Sequence, residues 1–223
     1  MSKIKFNRII SGLHLANTIF VLVNGINNND DSIRDFRRMA KQYFGINVDS
    51  SFISVVNPTL YDFSISSFIF IGLTALFTHY FTDNVRHTTR ELYNLTIQLG
   101  NLSARIVAKK ILHDLKPHLI STSNIIVVGH SHGGMAIREF LKLLNENEIR
   151  SVKQRMILLT LGCPVYIPSN ECHDFICCQY VAKSDFVYQF NRPVDVIDIE
   201  PISPLAAHTL SRYFDILIAD KNS

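Results

Sequence analysis

Residues 126 to 136, IVVGHSHGGMA, set a serine between two histidines and among three glycines. Gly129, Ser131 and Gly133 form a GxSxG pattern, which lifts a serine oxygen above a sheet when it joins a strand to a helix. A serine hydroxyl becomes a useful nucleophile only when a nearby base takes its proton and a third group orients that base. Because the pattern also fits an ordinary Gly-rich turn, the interpretation depends on whether such partners follow.

Two histidines lie beyond the GxSxG motif, His173 and His208. With this motif the partners come in the chain order serine, then aspartate or glutamate, then histidine. The acids before His173 lie in or beyond the helix predicted after the serine, or beside the histidine itself: Glu139, Glu146, Glu148 and Glu171. We therefore expect His208 to be the base. The alternative for His208 is a surface histidine that follows a Pro-rich turn.

The acid is expected on a loop just past a central strand. Asp185 follows the apolar run ICCQYV and stands between Ser131 and His208 in the chain. Asp195 and Asp198 are rivals, but they alternate with apolar residues inside a predicted strand whose one face must be solvated. We favour Asp185 as the acid, with Asp198 next.

Two backbone amides are candidates for stabilising the oxyanion that acyl transfer creates. The first belongs to His132, which follows the serine at the start of the predicted helix. The second belongs to the loop NGIN after the run TIFVLV, where Ile26 is favoured over Asn27. Taken alone, that loop is equally typical of an Asn-Gly turn before a helix.

Short apolar runs alternate with longer helical ones, which predicts an α/β protein with helices on both sides of a mostly parallel sheet. Strands are predicted at residues 18–23, 52–56, 125–128, 156–161, 176–181 and 194–199, the last of them closer to an edge because acidic residues interrupt it. Helices are predicted from Asp31 or Ser32 to Tyr43, over about 85–115, and from Gly133 to Leu144. The serine therefore stands between a strand and a helix.

The composition limits the class of protein. With 223 residues, 47% hydrophobic and 18% charged, the chain suits one domain over residues 1–223. A net charge of +3 with scattered basic residues excludes a nucleic-acid partner. The N-terminal residues show no secretory signal, so we expect a cytoplasmic location.

The four cysteines lie within residues 163–178, which is typical of reduced thiols rather than of a disulfide framework. Together with His173 these four cysteines, Cys163, Cys172, Cys177 and Cys178, imitate a zinc cluster, but the CxxC spacing of such sites is missing. The chemistry expected at Ser131 needs no cofactor and no metal.

Residues 63–82 carry no formal charge and are long enough to cross a bilayer. A span there would separate the strands at 18–23 and 52–56 from the strand before Ser131, so we reject it. A core helix is the default prediction. A wall or cap of an acyl-chain pocket and a flap that makes peripheral membrane contact stay open as alternatives.

At this point the sequence resembles the α/β-hydrolase superfamily, in particular its lipase-like and esterase-like members. The resembling segments span most of the chain: FVLVNGI, IIVVGHSHGGMAIREFL, LLTLGCPV, YVAKSDFV and AAHTLSRYF. A histidine followed shortly by a tyrosine, here His208 and Tyr213, is familiar near the C-terminus of such proteins. Two features depart from the family: NGI replaces the usual HG in the first loop, and the short chain lacks a large lid domain.

The resemblance implies a three-layer α/β/α hydrolase fold and cleavage of carboxylic esters through an acyl-enzyme. The substrate would be a lipid or small-molecule acyl ester, and the enzyme a lipase, phospholipase or acyl-esterase in type. Ser131, His208 and Asp185 would act as nucleophile, base and acid. The alternatives are a non-catalytic acyl-binding protein with the same fold and a membrane-associated interaction protein.

Overall fold

A computed structural model of the chain describes residues 5–25, 30–46, 51–55, 83–185, 195–197 and 208–222. Three features predicted from the sequence lie outside these residues: the uncharged stretch 63–82, the loop residues Ile26 and Asn27, and the rival acid Asp198. The single domain and the cap or acyl-pocket role of 63–82 therefore stay predictions.

The described strands form one sheet in which all neighbours are parallel, in the order β2-β1-β3-β4-β5-β6. Their bounds are β1 Thr18–Val23, β2 Phe52–Val55, β3 Asn124–His130, β4 Met156–Leu161, β5 Ile176–Ala182 and β6 Asp195–Ile197. The predicted bounds of β1 and β4 are confirmed to the residue, and β6 lies at an edge as predicted. β3 is longer than predicted because Gly129 and His130 still pair with β4, although the apolar run has ended.

Helices cover both faces of this sheet. They are α1 Lys5–Ser11, α2 Asp30–Phe44, α3 Asp83–Leu119, α4 His132–Leu141, α5 Glu146–Val152 and α6 Leu210–Lys221. The sequence predicted α2, α3 and α4, but α4 ends three residues earlier than expected. It did not predict α1, α5 or α6, of which α5 begins with a capping box between Asn145 and Glu148.

The side chains of the central strands alternate between two apolar clusters, as the two-residue period of a strand requires. On one face Val21, Val127 and Leu158 pack with α3, α4 and α5. On the other face Phe20 and Ile126 pack with α1, α2 and α6. The predicted three-layer α/β/α fold is therefore confirmed.

The chain changes direction across the sheet between β1 and β3. It runs from β1 outward to β2 and then returns to the other side of β1 as β3. In open parallel sheets such a switch opens a crevice at the carboxyl ends of the two strands, where ligands bind. Here those ends are Val23 and His130, so Ser131 stands at the switch point.

Helix α4 begins in direct contact with the end of β1. A side-chain carbon on Gly133 would overlap the carbonyl oxygen of Val23, and one on Gly129 would lie 2.8 Å from the carbonyl carbon of Gly133. Almost all of α4 is buried between the sheet and α3. The missing side chains at these two glycines therefore let the helix start close enough to cover the switch point.

None of the described helices combines the length and apolar character that crossing a bilayer requires.

Because of the close contact at Gly133, we expect Gly133→Ala to destabilise the protein, whereas the same change in an ordinary helix stabilises it. An exposed helical glycine usually gains about 1 kcal/mol of stability on replacement by alanine. Here the added carbon meets backbone atoms of β1, so we expect the free energy of unfolding to fall by at least about 2 kcal/mol. Chemical denaturation measures the change. Gly12→Ala is the control, because its added carbon lies 3.7 Å from the nearest atom; equal stability in both variants would contradict the packing described.

Candidate active site

Ser131 occupies a strained turn between β3 and α4. Its backbone angles are φ 53° and ψ −123° at the N-cap of α4, a region that residues with a side chain rarely adopt. Such a conformation costs about 1 to 3 kcal/mol and persists only where the surroundings fix it. Two hydrogen bonds fix it here: the Ser131 N–H donates to the Leu161 carbonyl at 2.9 Å, and the Gly134 N–H donates to the Ser131 carbonyl at 3.0 Å.

The loop after β1 passes next to the serine. A side-chain carbon on Gly25 would lie 3.1 Å from Cβ and 3.5 Å from Oγ of Ser131. The Gly25 N–H donates to the buried side-chain oxygen of Asn24 at 2.8 Å, which fixes the first part of the loop. The Asn-Gly pair thus leaves room for the serine hydroxyl. Ile26, the next residue and predicted oxyanion donor, lies outside the described residues, so that role stays a prediction.

His208 lies within hydrogen-bond distance of both predicted partners. Its Nε2 is 2.9 Å from Oγ of Ser131, and its Nδ1 is 2.8 Å from Oδ2 and 3.0 Å from Oδ1 of Asp185. A carboxylate only accepts hydrogen bonds, so Nδ1 carries the proton and Nε2 presents its lone pair to the serine hydroxyl. The contacts alone therefore define the tautomer that a general base for Ser131 requires.

Asp185 presents its carboxylate to His208 from the loop after β5. Its side chain has 0% of its surface exposed, whereas that of His208 keeps 14%. The Asp185 N–H donates to the Ala182 carbonyl at 2.9 Å, which closes the turn that follows β5. An ionised carboxylate without water must accept hydrogen bonds from protein groups. Besides His208, the hydroxyl of Tyr213 donates to Oδ2 at 2.6 Å.

His130, the last residue of β3, supports the backbone of the predicted base. Its Nε2 donates to the carbonyl oxygen of His208 at 2.8 Å, and the two imidazole rings lie 5.2 Å apart. Burial, and next the proximity of His208, lowers the pKa of His130 to about 3. His130 is therefore neutral near pH 7 and holds the His208 backbone without adding a positive charge to the site.

His132 follows the serine as the first residue of α4 and is buried. The first amides of a helix lie outside its internal hydrogen-bond ladder and at the positive end of its dipole. That position is compatible with the predicted oxyanion role of the His132 amide, which stays a prediction.

The rival base His173 is engaged at the opposite end of α4. Its Nε2 donates to the carbonyl oxygen of Leu141, the last residue of α4, at 3.1 Å, whereas Ser131 precedes the first residue of α4. A ten-residue helix is about 15 Å long, so His173 is directed away from the serine.

The rival glutamates have other partners. Glu139 pairs with Arg105 and Lys142, and Glu171 pairs with Arg138. Glu146 pairs with Arg150, and Glu148 caps α5. Of the rival aspartates, Asp195 lies in β6 and Asp198 lies outside the described residues.

In the part of the chain that the structure describes, no group of three or more histidine, cysteine, aspartate or glutamate side chains could hold a metal ion. Cys163 is a packing residue: burial raises the pKa of its thiol to about 12, and its Sγ donates to the Val165 carbonyl at 3.0 Å.

The sequence interpretation missed the contacts that Tyr213 and His130 make. His130 is the serine's neighbour in the motif, and Tyr213 was noted only as part of a familiar pattern. The five-residue spacing between His208 and Tyr213 could have predicted that their side chains lie close together. The residue before a helix N-cap and the fourth residue of the helix meet on one side of it.

Comparison with known proteins gives distant structural likeness and no close relative. No family model and no curated protein matches the chain. Among solved structures, the chain is similar to phospholipase PlaB from Legionella pneumophila, at 10% sequence identity and a TM-score of 0.39. The match covers 74% of this chain and 39% of PlaB, so the chain corresponds to well under half of that protein.

The lowered pKa of His130 predicts a loss of stability in mild acid. From its ordinary value of 6.5 down to about 3, the unfolded chain binds a proton that the folded protein does not, so stability falls as the pH falls through this window. We expect His130 to account for about 2 kcal/mol of lost unfolding free energy between about pH 7 and pH 5. Urea denaturation of wild type and His130→Gln at both pH values measures it.

The exposed His113→Gln is the matched control and should keep the wild-type pH dependence. An equal slope in wild type and His130→Gln would show that His130 takes up a proton in the folded protein, contrary to its contacts.

Proposed function

We propose that this protein is a serine hydrolase that cleaves carboxylic esters through an acyl-enzyme. The observation that carries the proposal is the chain of hydrogen bonds from Oγ of Ser131 through the His208 imidazole to the buried Asp185 carboxylate. Ser131 follows β3 and Asp185 comes after β5, both at the carboxyl edge of the sheet, whereas His208 precedes α6. The arrangement has the atoms, the tautomer and the distances of a nucleophile, its base and an orienting acid.

In the proposed acylation step, Oγ of Ser131 attacks the acyl carbon while Nε2 of His208 takes the hydroxyl proton. The carbonyl oxygen becomes an oxyanion, which the His132 amide and, in the undescribed loop, the Ile26 amide would stabilise. The tetrahedral intermediate then collapses: the bond to the alcohol breaks, and His208 returns the proton to the leaving oxygen. Asp185 stays ionised and stabilises the imidazolium while it exists.

In deacylation, a water molecule gives a proton to Nε2 of His208 and attacks the acyl carbon. Collapse of this second intermediate returns the proton to Oγ of Ser131 and releases the carboxylic acid. The cycle is balanced without a metal or redox group.

The backbone strain at Ser131 supports catalysis over simple binding of an acyl ligand. A serine that only lines a pocket gains nothing from φ 53°, whereas a nucleophile needs its oxygen lifted above the sheet and near its base. The side-chain exposure agrees with this role: His208 is partly accessible, while Asp185 is not.

The finer substrate class proposed is an acyl ester of the lipase, phospholipase or acyl-esterase type. It comes from the sequence resemblance and from the uncharged stretch 63–82, which lies between the first loop and the serine in the chain. Peripheral membrane contact through that stretch is part of the same proposal.

A fluorophosphonate probe, which reacts with activated serines, tests the reaction class. We expect wild type to incorporate one probe at Ser131 and Ser131→Ala to incorporate none, because the alanine lacks the attacking oxygen. Ser123→Ala is the matched control and should label like wild type, since Ser123 immediately precedes β3, at the opposite end of the strand from Ser131. Mass spectrometry locates the adduct, and thermal unfolding verifies the fold. An unlabelled wild type, or a labelled Ser131→Ala, rejects the hydrolase proposal.

The identity of the acid is tested by Asp185→Asn and Asp198→Asn. Asparagine keeps the size of aspartate but removes the charge that stabilises the imidazolium and selects its tautomer. We expect kcat on p-nitrophenyl esters to fall by about three to four orders of magnitude in Asp185→Asn. Asp198→Asn should keep most of the activity. The opposite ranking would transfer the role to Asp198.

A further inference from the structure

We propose that Tyr213 is a positioning residue of this site, whose hydroxyl holds the Asp185 carboxylate in the orientation that receives the Nδ1 proton of His208. The inference rests on the proposed hydrolase function and assigns a further residue to it. It does not make Tyr213 a catalytic residue, because its side chain is fully buried and has no access to substrate.

The direction of the Tyr213 hydroxyl follows from its two neighbours. The backbone N–H of Ala182 donates to the hydroxyl oxygen at 3.0 Å, and the hydroxyl lies 2.6 Å from Oδ2 of Asp185. Since an N–H can only donate, the hydroxyl proton is directed to the carboxylate. Oδ2 therefore accepts from Tyr213 at 2.6 Å and from His208 at 2.8 Å.

Tyr213 remains a donor at every pH at which a serine esterase works. Burial, and then the negative charge of Asp185, raises the pKa of its phenol well above the ordinary value of 10.0. A phenolate beside a buried carboxylate would place two negative charges together without water. The hydroxyl thus supplies a permanent donor.

The first turn of α6 explains why His208 and Tyr213 reach the same carboxylate. Thr209 is the N-cap of α6, so His208 precedes the cap and Tyr213 is the fourth residue of the helix. In helices these two positions meet on the same side. The helix therefore delivers the imidazole and the hydroxyl as one unit.

The end of β4 is shaped around the same pair. Gly162 has φ 58°, and a side-chain carbon on it would lie 3.0 Å from the Tyr213 hydroxyl and 3.1 Å from Oδ2 of Asp185. Its N–H donates to the Tyr180 carbonyl at 2.9 Å, which fixes the backbone against β5. The backbone after β4 thus lies close to both the Tyr213 hydroxyl and the carboxylate that accepts its hydrogen bond.

The test compares Tyr213→Phe with Tyr180→Phe. Both tyrosines are buried, and each hydroxyl accepts one backbone N–H at 3.0 Å, from Ala182 and from Phe6 respectively. The Tyr213 hydroxyl also donates to Asp185. The two variants thus lose a similar structural bond, and the matched control isolates the contact with the acid.

We expect kcat on a p-nitrophenyl ester, counted per probe-labelled site, to fall about ten- to a hundredfold in Tyr213→Phe, because a hydrogen bond to a charged group is lost. KM should change less than about twofold, since the side chain does not touch substrate. Tyr180→Phe should keep the wild-type kcat. The downfield proton resonance of the His208 Nδ1–H should move in Tyr213→Phe and stay in place in Tyr180→Phe.

A double variant adds a second criterion. In an Asp185→Asn background, Tyr213→Phe should cause little further loss of kcat, because the two residues act as one unit.

The outcomes distinguish a failure of the Tyr213 role from a failure of the proposed hydrolase function. If wild type labels at Ser131 but the two phenylalanine variants have equal kcat per labelled site and equal resonance positions, the role of Tyr213 is wrong and the hydrolase proposal stands. Full additivity with Asp185→Asn also overturns the Tyr213 role. If wild type does not label, the hydrolase proposal itself fails.

Discussion

A carboxylate without water is the constraint on which the arrangement of this site depends. Moving an isolated ionised carboxylate from water into a protein interior is strongly unfavourable, so Asp185 has to be satisfied by donors that the fold supplies. Two of those donors, His208 and Tyr213, belong to the start of α6, and the apolar face of α6 packs on the sheet through Phe214 and Leu217. Packing of α6 on the sheet therefore brings both donors to Asp185, and the hydrogen bonds to Asp185 in turn favour the packing of α6.

The second constraint is the crowding around Ser131. The strained turn is held between the carbonyl of Leu161 in β4 and the first turn of α4, while the loop after β1 lies against the serine side chain. Glycines at positions 25, 129 and 133 allow these backbones to meet. The unfavourable conformation of one residue is thus offset by contacts from β4, from the first turn of α4 and from the loop after β1.

The sequence predicted the features that depend on local pattern. The continuous apolar runs TIFVLV and MILLTL gave correct strands because buried parallel strands have no polar face. The chain order of the motif selected Asp185 and His208, which the structure brings together with Ser131. The fold class is confirmed, whereas the catalytic roles stay predictions until the serine is tested.

What the sequence did not predict depends on contacts between distant segments. Helix α6 was missed because its buried residues, Tyr213, Phe214 and Leu217, form a short stripe in a mixed segment that becomes clear only against the sheet. The double role of the Tyr213 hydroxyl needs the positions of β5 and Gly162, which no local pattern contains. Strand β3 is longer than predicted because its pairing with β4 continues beyond the apolar side chains.

The order of the site residues along the chain has a consequence for biosynthesis. Ser131 precedes His208 by 77 residues, and ribosomes add about 5 to 20 residues per second. For about 4 to 15 seconds a nascent chain thus contains Ser131 and the first three strands but not His208, the proposed base, while β4, β5 and β6 are still being added. Asp185 is added 23 residues before His208, so the proposed acid also precedes both of its donors from the start of α6, His208 and Tyr213. In the proposed mechanism, reactivity toward esters begins only when the segment around α6 has been synthesised and has docked.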